Sequence, residues 1–307
     1  MKRFTSQKSF GFGALMFSVA TLIMSCATPT KSSVSQPRAF DEAPLNRPVE
    51  IKAETIVVDA RPAFEYSTAH VPRSVLLNWS DYTEAEPAQR GIIQSDTFAA
   101  ARRLARAGIS PESHVVVLGK GLQGSGEEGR LAWTLAYLGV ANVQFASLDS
   151  LKPRLTNSPE ANPLASVPIW KPSVVSDLNA SRDEVLFAIN ERAVDKPASY
   201  KGQPARLYRL IDVRSEKAYL GKEGMGVVKT VPNMDAINIP WQQFFTPNLR
   251  TNQMMISQLR SMGFSIDQRL IVLDENGVAS AAVTMALRSA GFSNAANYSG
   301  GLQDLLK

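Results

Sequence analysis

The chain has 307 residues, with 33 Lys and Arg against 28 Asp and Glu, two histidines and a single cysteine. One cysteine excludes an internal disulfide, and two histidines without a thiol ligand argue against a zinc site, so no metal and no cofactor is expected. Three of the bases and none of the acids fall in the first 25 residues, which lowers the net charge from +5 to +2 beyond them; with no basic run interleaved with aromatics, nucleic-acid binding is not expected either.

Lys2, Arg3 and Lys8 precede an apolar stretch from Phe10 to Met24, which ends in Leu22-Ile23-Met24-Ser25-Cys26. The stretch is short and rich in small residues for a membrane span, and suits an export signal over residues 1–25. A small residue and then cysteine after an apolar core resembles the lipobox of bacterial lipoproteins. That resemblance implies cleavage before Cys26, lipidation of Cys26 and membrane attachment in the cell envelope. The alternative is an ordinary signal peptide with a chance cysteine. Ala27 follows, and by resemblance to enterobacterial sorting the outer membrane, facing the periplasm, is favoured. Residues 26–49, rich in Ser, Pro, Thr and Ala, have the composition of a flexible tether.

The remaining body carries one order of elements twice. Strand Thr55 to Asp59 leads into Ala60-Arg61 and a helical stretch from Pro62 to Ser67, as strand Leu207 to Asp212 leads into Val213-Arg214 and Ser215 to Tyr219. Each half then gives a helix (Thr97 to Ala107; Asn252 to Met262) and a β-branched strand (Val115 to Leu118; Leu270 to Leu273). A loop and a second helix follow, ending at Gly139 and Gly291, where glycine suits a C-cap. Strands alternating with helices predict α/β domains, each a mainly parallel sheet flanked by helices on both faces, with ligands beyond the carboxyl ends of the strands. The boundaries read as a first domain over 50–152, a proline-rich linker over 153–180 and a second domain over 181–307. Pro197 to Pro204 reads as an exposed loop, and 221–233 as an insertion or lid.

Val58-Asp59-Ala60-Arg61-Pro62-x-x-Glu65-Tyr66 with His70-Val71-Pro72, Ile211-Asp212-Val213-Arg214-Ser215 with Ile239-Pro240-Trp241, and Gly300-Gly301-Leu302 together resemble the tandem rhodaneses. These are the two-domain thiosulfate and 3-mercaptopyruvate sulfurtransferases. The resemblance spans about residues 50 to 307. It implies a catalytic loop after a strand of the second domain, opening on a cysteine with a glycine three positions on.

Here that loop is Asp274-Glu275-Asn276-Gly277-Val278-Ala279-Ser280, a degenerate version with Asp274 at the nucleophile position and Ala279 where some members place an arginine. Sulfane-sulfur transfer needs a polarisable thiolate that forms a persulfide, which a carboxylate cannot replace. Asp274 is therefore expected to cap the amides of the following helix and to occupy the anion site itself; the alternative is a different nucleophile, as in a hydrolase. Its similarity to the aspartyl loop of haloacid-dehalogenase-like phosphatases fails because too little chain follows to supply their further lysine and acids.

In the first domain the loop aligned with it lacks cysteine and is three residues longer. Gly119, Lys120, Gly121, Gly124 and Ser125, with Arg130 behind them, form a candidate anion cradle, and Ser125 with Glu128 a capping box. The alternative is a solvent loop. The Gly119-x-Gly121-x-x-Gly124 spacing matches a dinucleotide fingerprint but lies on a late strand and lacks the strand-end acid. His70 reads as structural, His114 as a surface residue, Asp59–Arg61 and Asp212–Arg214 as fold-holding pairs, and Trp79 and Trp241 as packing residues. The expectation is a lipid-anchored envelope protein without sulfurtransferase activity, a binding or regulatory module for a partner protein or small anion. The alternative is a sulfurtransferase-family enzyme with cysteine-independent chemistry.

Overall fold

The computed structural model describes residues 49–151, 155–158, 166–193, 199–204, 207–222 and 234–307. The signal, the tether, Cys26 and most of the 221–233 segment lie outside the described residues.

The first half runs β1 (Ile56–Asp59), α1 (Ala63–Thr68), β2 (Val75–Leu76), α2 (Thr97–Arg106), β3 (His114–Gly119), α3 (Glu127–Leu138), β4 (Asn142–Ser147) and a short α4 (Leu148–Leu151). Its sheet has the order β2-β1-β3-β4, and all pairs are parallel. After α5 (Arg182–Ala193) and the pair β5 (Ser199–Tyr200) and β6 (Gln203–Pro204), the second half repeats the plan. It comprises β7 (Tyr208–Asp212), α6 (Glu216–Tyr219), β8 (Ile237–Asn238), α7 (Gln253–Ser261), β9 (Arg269–Leu273), α8 (Ala279–Ser289), β10 (Ala296–Asn297) and α9 (Gly301–Leu305). The order β8-β7-β9-β10 is again wholly parallel, so the internal repeat is structural.

The central strands Val115 to Leu118 and Leu270 to Leu273 are buried along their whole length, as strands covered on both faces require. Asp96 opens α2 by accepting from Ala99 N at 2.8 Å, and Asn252 caps α7 in the same manner. Gly139 closes α3 at φ +102°, a left-handed value that favours glycine.

Two expectations change. Pro197 to Pro204 is not simply a loop: β5 and β6 pair antiparallel across Lys201 (φ +47°) and Gly202 (φ +82°), the backbone of a tight hairpin turn. Ser125 and Glu128 form no capping box, because the longer loop leaves Gly126 (φ +90°) at the helix N-cap.

Both sheets belong to one compact unit, Pro37–Lys307. The halves meet along α3 and α8, where Gly129 lets the helices approach so closely that an added Cβ would lie 2.3 Å from the Ala282 Cβ. Phe145 meets Phe245 edge-on at 5.9 Å, and Trp133 Nε1 donates to Leu178 O at 3.1 Å. One apolar core therefore runs through both halves.

Candidate functional site

Each sheet first fixes its strand ends. Asp59 is wholly buried and takes Arg61 Nε and Nη2 at 3.0 and 2.7 Å, and Arg61 also donates to Ala69 O. Asp212 and Arg214 repeat the fork at 3.1 and 2.7 Å. Both pairs hold the turn after the strand. His70 is likewise structural: its Nδ1 lies 2.8 Å from Tyr66 O and its ring stacks on Tyr66. His114 is exposed, while Trp241 packs on Phe245 and Trp79 lies against the Arg130 guanidinium.

Beyond the carboxyl end of β9, the loop 274–280 wraps around the side chain of Asp274. Oδ1 accepts from the backbone N–H groups of Asn276, at 3.1 Å, and Gly277; Oδ2 accepts from Ala279 at 2.7 Å and Ser280 at 3.2 Å. Four amides at the start of α8 thus converge on one carboxylate supplied by the loop itself. Burial pushes the Asp274 carboxyl up from its ordinary range, and the N–H groups of Gly277, Ser280 and Ala279 pull it back part of the way.

The loop is clamped on every side. Ser280 Oγ donates to Asn297 Oδ1 at 2.6 Å, and Asn297 Nδ2 donates to Gly277 O at 3.2 Å. Leu302 N and Gln303 N donate to Asp274 O and Glu275 O, so the Gly300-Gly301 turn backs the loop directly. Gly277 adopts φ +78°, and a Cβ there would fall 2.1 Å from Ser299 O.

From the first half, Arg130 reaches across: Nη1 donates to Gly277 O at 2.7 Å and Nη2 to Gly91 O at 2.6 Å. Arg130 is 0% exposed. Burial lowers its pKa to about 10 while Asp274 draws it back up, so it remains a cation at neutral pH.

That placement corrects the expected anion cradle. Arg130 serves the second-half loop instead of standing behind Gly119 to Ser125. Lys120 pairs with Glu65 at 2.5 Å, and the loop's amides are taken by acids of α3, with Gly121 N donating to Glu128 Oε1 at 2.9 Å and Ser125 N to Glu127 Oε2 at 2.8 Å. A Cβ at Gly119 would lie 2.4 Å from Glu128 Oε2, and Gly124 N is spent on Gly121 O. Both cations of the candidate cradle are thus engaged outside it. Burial pushes the Glu128 carboxyl up to about 7. The β1–β3 and β7–β9 registers place Leu118 opposite Asp59 as Leu273 stands opposite Asp212, which makes Gly119 and Asp274 equivalent. Each half therefore fills its post-strand amides with a carboxylate of its own.

A sequence profile described as a rhodanese-like domain matches residues 44–147 and 197–307. The chain belongs to the rhodanese-like family. Solved structures agree on the fold. SseA of Escherichia coli, a 3-mercaptopyruvate sulfurtransferase, is 20% identical, with a TM-score of 0.62 over 81% of this chain and 93% of its own. Tum1 of Saccharomyces cerevisiae is 17% identical at a TM-score of 0.64, covering 84% and 90%. A probable thiosulfate sulfurtransferase is 22% identical at 0.56, covering 84% and 96%. No curated protein sequence matches.

Three residues of the loop's surroundings carried no sequence signal: Asn297 and Ser299 stand out only once the second half is folded, and Gly91 only through Arg130. Among the described residues no group of His, Cys, Asp and Glu is arranged to hold a metal ion. A polar cavity of about 530 Å³ opens between Tyr137, Glu184, Tyr208 and Arg269, at the amino end of the second sheet and away from Asp274.

Proposed function

We propose that this rhodanese-like protein does not transfer sulfane sulfur and acts as a binding or regulatory module for a protein partner, held in the cell envelope by a lipid on Cys26. The observation that carries the first part is the occupancy of the loop. Asp274 stands where the family resemblance calls for a cysteine, and both of its oxygens are engaged by four backbone amides. A carboxylate so held is a poor nucleophile, since attack would require giving up hydrogen bonds that favour its charged form. The same occupancy disfavours a small anion in either loop and leaves a macromolecular partner as the better reading. The intact clamp of Arg130, Asn297 and the Gly300-Gly301 turn supports a loop kept for its shape.

Two experiments test the proposal. Purified body is assayed for sulfur transfer from thiosulfate and from 3-mercaptopyruvate to cyanide; turnover above the uncatalysed rate refutes the first part. Mass spectrometry of the mature protein reads the anchor. The expected N-terminal peptide begins at acylated Cys26, and an unmodified N-terminus elsewhere refutes the second part.

A further inference from the structure

Helix α2 presents a stripe that the other described residues do not cover. Phe98, Arg102 and Arg106, at i, i+4 and i+8, are all exposed; Phe98 is 47% exposed, with the Arg102 guanidinium 5.6 Å from its ring centroid. Arg103 turns aside to Asp81 O and Gln94 Oε1, whereas Arg102 and Arg106 make no hydrogen bond or ion pair among the described residues. The segment 166–171 lies against the end of α2 through Val167 N donating to Ala105 O at 2.9 Å. It adds Ile169, 58% exposed, and the exposed Lys171. Neither segment contains an acid, and the Asp96 side chain at the head of α2 is spent on its N-cap bond. The equivalent helix α7 carries a single arginine, Arg260, which is bonded to Ala290 O.

We propose that this face is a peripheral contact for an anionic lipid surface, with Phe98 and Ile169 entering the headgroup region and Arg102, Arg106 and Lys171 meeting phosphates. Large apolar side chains set among unpaired cations are what such an interface selects, and each cation near it contributes independently. The relevance to a cell rests on the anchor reading. The 24 residues from Cys26 to Val49 span at most about 80 Å, and a tether of that kind supplies a local concentration of order mM. A contact far too weak to recruit a free protein then suffices to orient an anchored one.

The test uses Pro37–Lys307, the compact unit with both sheets and the whole core, so Cys26 and its acylation play no part. Co-sedimentation with phosphatidylglycerol-containing vesicles and with pure phosphatidylcholine vesicles is measured in low and high salt. Binding to the anionic vesicles alone is expected, weakening as salt rises. R102E/R106E should lower that affinity by about thirtyfold or more with an unchanged melting temperature, from roughly one order per 1.4 kcal/mol and about 1 kcal/mol for each cation. Phe98→Ser should weaken binding without changing its salt slope. A body indifferent to lipid charge, or an R102E/R106E variant that binds as well as its parent, overturns the proposal. The first of these results would leave the face to an acidic protein. Failure of acylation at Cys26 would sink the anchor and leave the vesicle result standing.

Discussion

Replacing Asp274 by alanine should convert a filled cradle into an empty one, and the loss can be sized from its donors. The Gly277 and Ser280 amides are buried, those of Asn276 and Ala279 partly so, and all four lose their acceptor. A buried unsatisfied donor costs about 1–3 kcal/mol, while removing a buried carboxylate returns part of its desolvation, so a net loss of about 2–4 kcal/mol is expected. At about 2–4 °C per kcal/mol the melting temperature of Asp274→Ala should fall by about 10 °C. Sulfate or thiosulfate should then restore much of the loss, because an anion at a hundred times its Kd returns about 2.7 kcal/mol. Thermal melts of variant and parent in matched concentrations of sulfate and chloride check this, with the parent correcting for the general stabilisation by sulfate. A variant that melts within a degree of its parent, or an equal sulfate shift in both, refutes the picture of a self-filled anion site.

Glu128 makes a prediction in pH. Its folded carboxyl titrates near 7 against an ordinary 4.5, so the folded state holds an extra proton between those values and stability falls as pH rises from about 4.5 to 7, by about 3 kcal/mol in all. Glu128→Gln keeps an acceptor for Gly121 N and should flatten that decline, as denaturant midpoints at pH 5 and pH 8 would show. Gly129→Ala gains helix propensity worth about 1 kcal/mol yet drives a Cβ to 2.3 Å from Ala282, and the overpacking of about 1–3 kcal/mol should win and lower the melting temperature. Asp212→Asn leaves Arg214 buried without its counter-charge and should cost about 3–5 kcal/mol, measurable by chemical denaturation, where an exposed pair would cost less than about 1 kcal/mol.

The α/β repeat was legible because each half writes its buried strands as short apolar runs, ends β1 and β7 in Asp-x-Arg and closes its second helix with glycine. Strands β4 and β10 gave no such signal. Asn142 to Ser147 alternates polar and apolar residues only weakly, and Ala296–Asn297 is too short to carry a period, so both are defined by pairing with β3 and β9. The site divides along the same line. Asp274 as the filler of its own loop followed from residue type and position, since both effects are local. The placement of Arg130 did not, because its acceptor Gly277 is 147 residues away and the contact exists only through the packing of α3 on α8. Glu128 read as half of a capping box for a local reason: the longer loop leaves Gly126 at the N-cap, and the carboxylate turns back to Gly121.

The most direct test of the central claim is thiosulfate:cyanide sulfur transfer by the unmodified body beside its Asp274→Cys variant, read as thiocyanate formed and as the gain of one sulfur atom on the protein. No activity and no added sulfur are predicted for the unmodified body, with persulfide on the variant, whose thiolate would sit where four amides now hold a carboxylate. Thiocyanate formation by the unmodified protein would contradict the account.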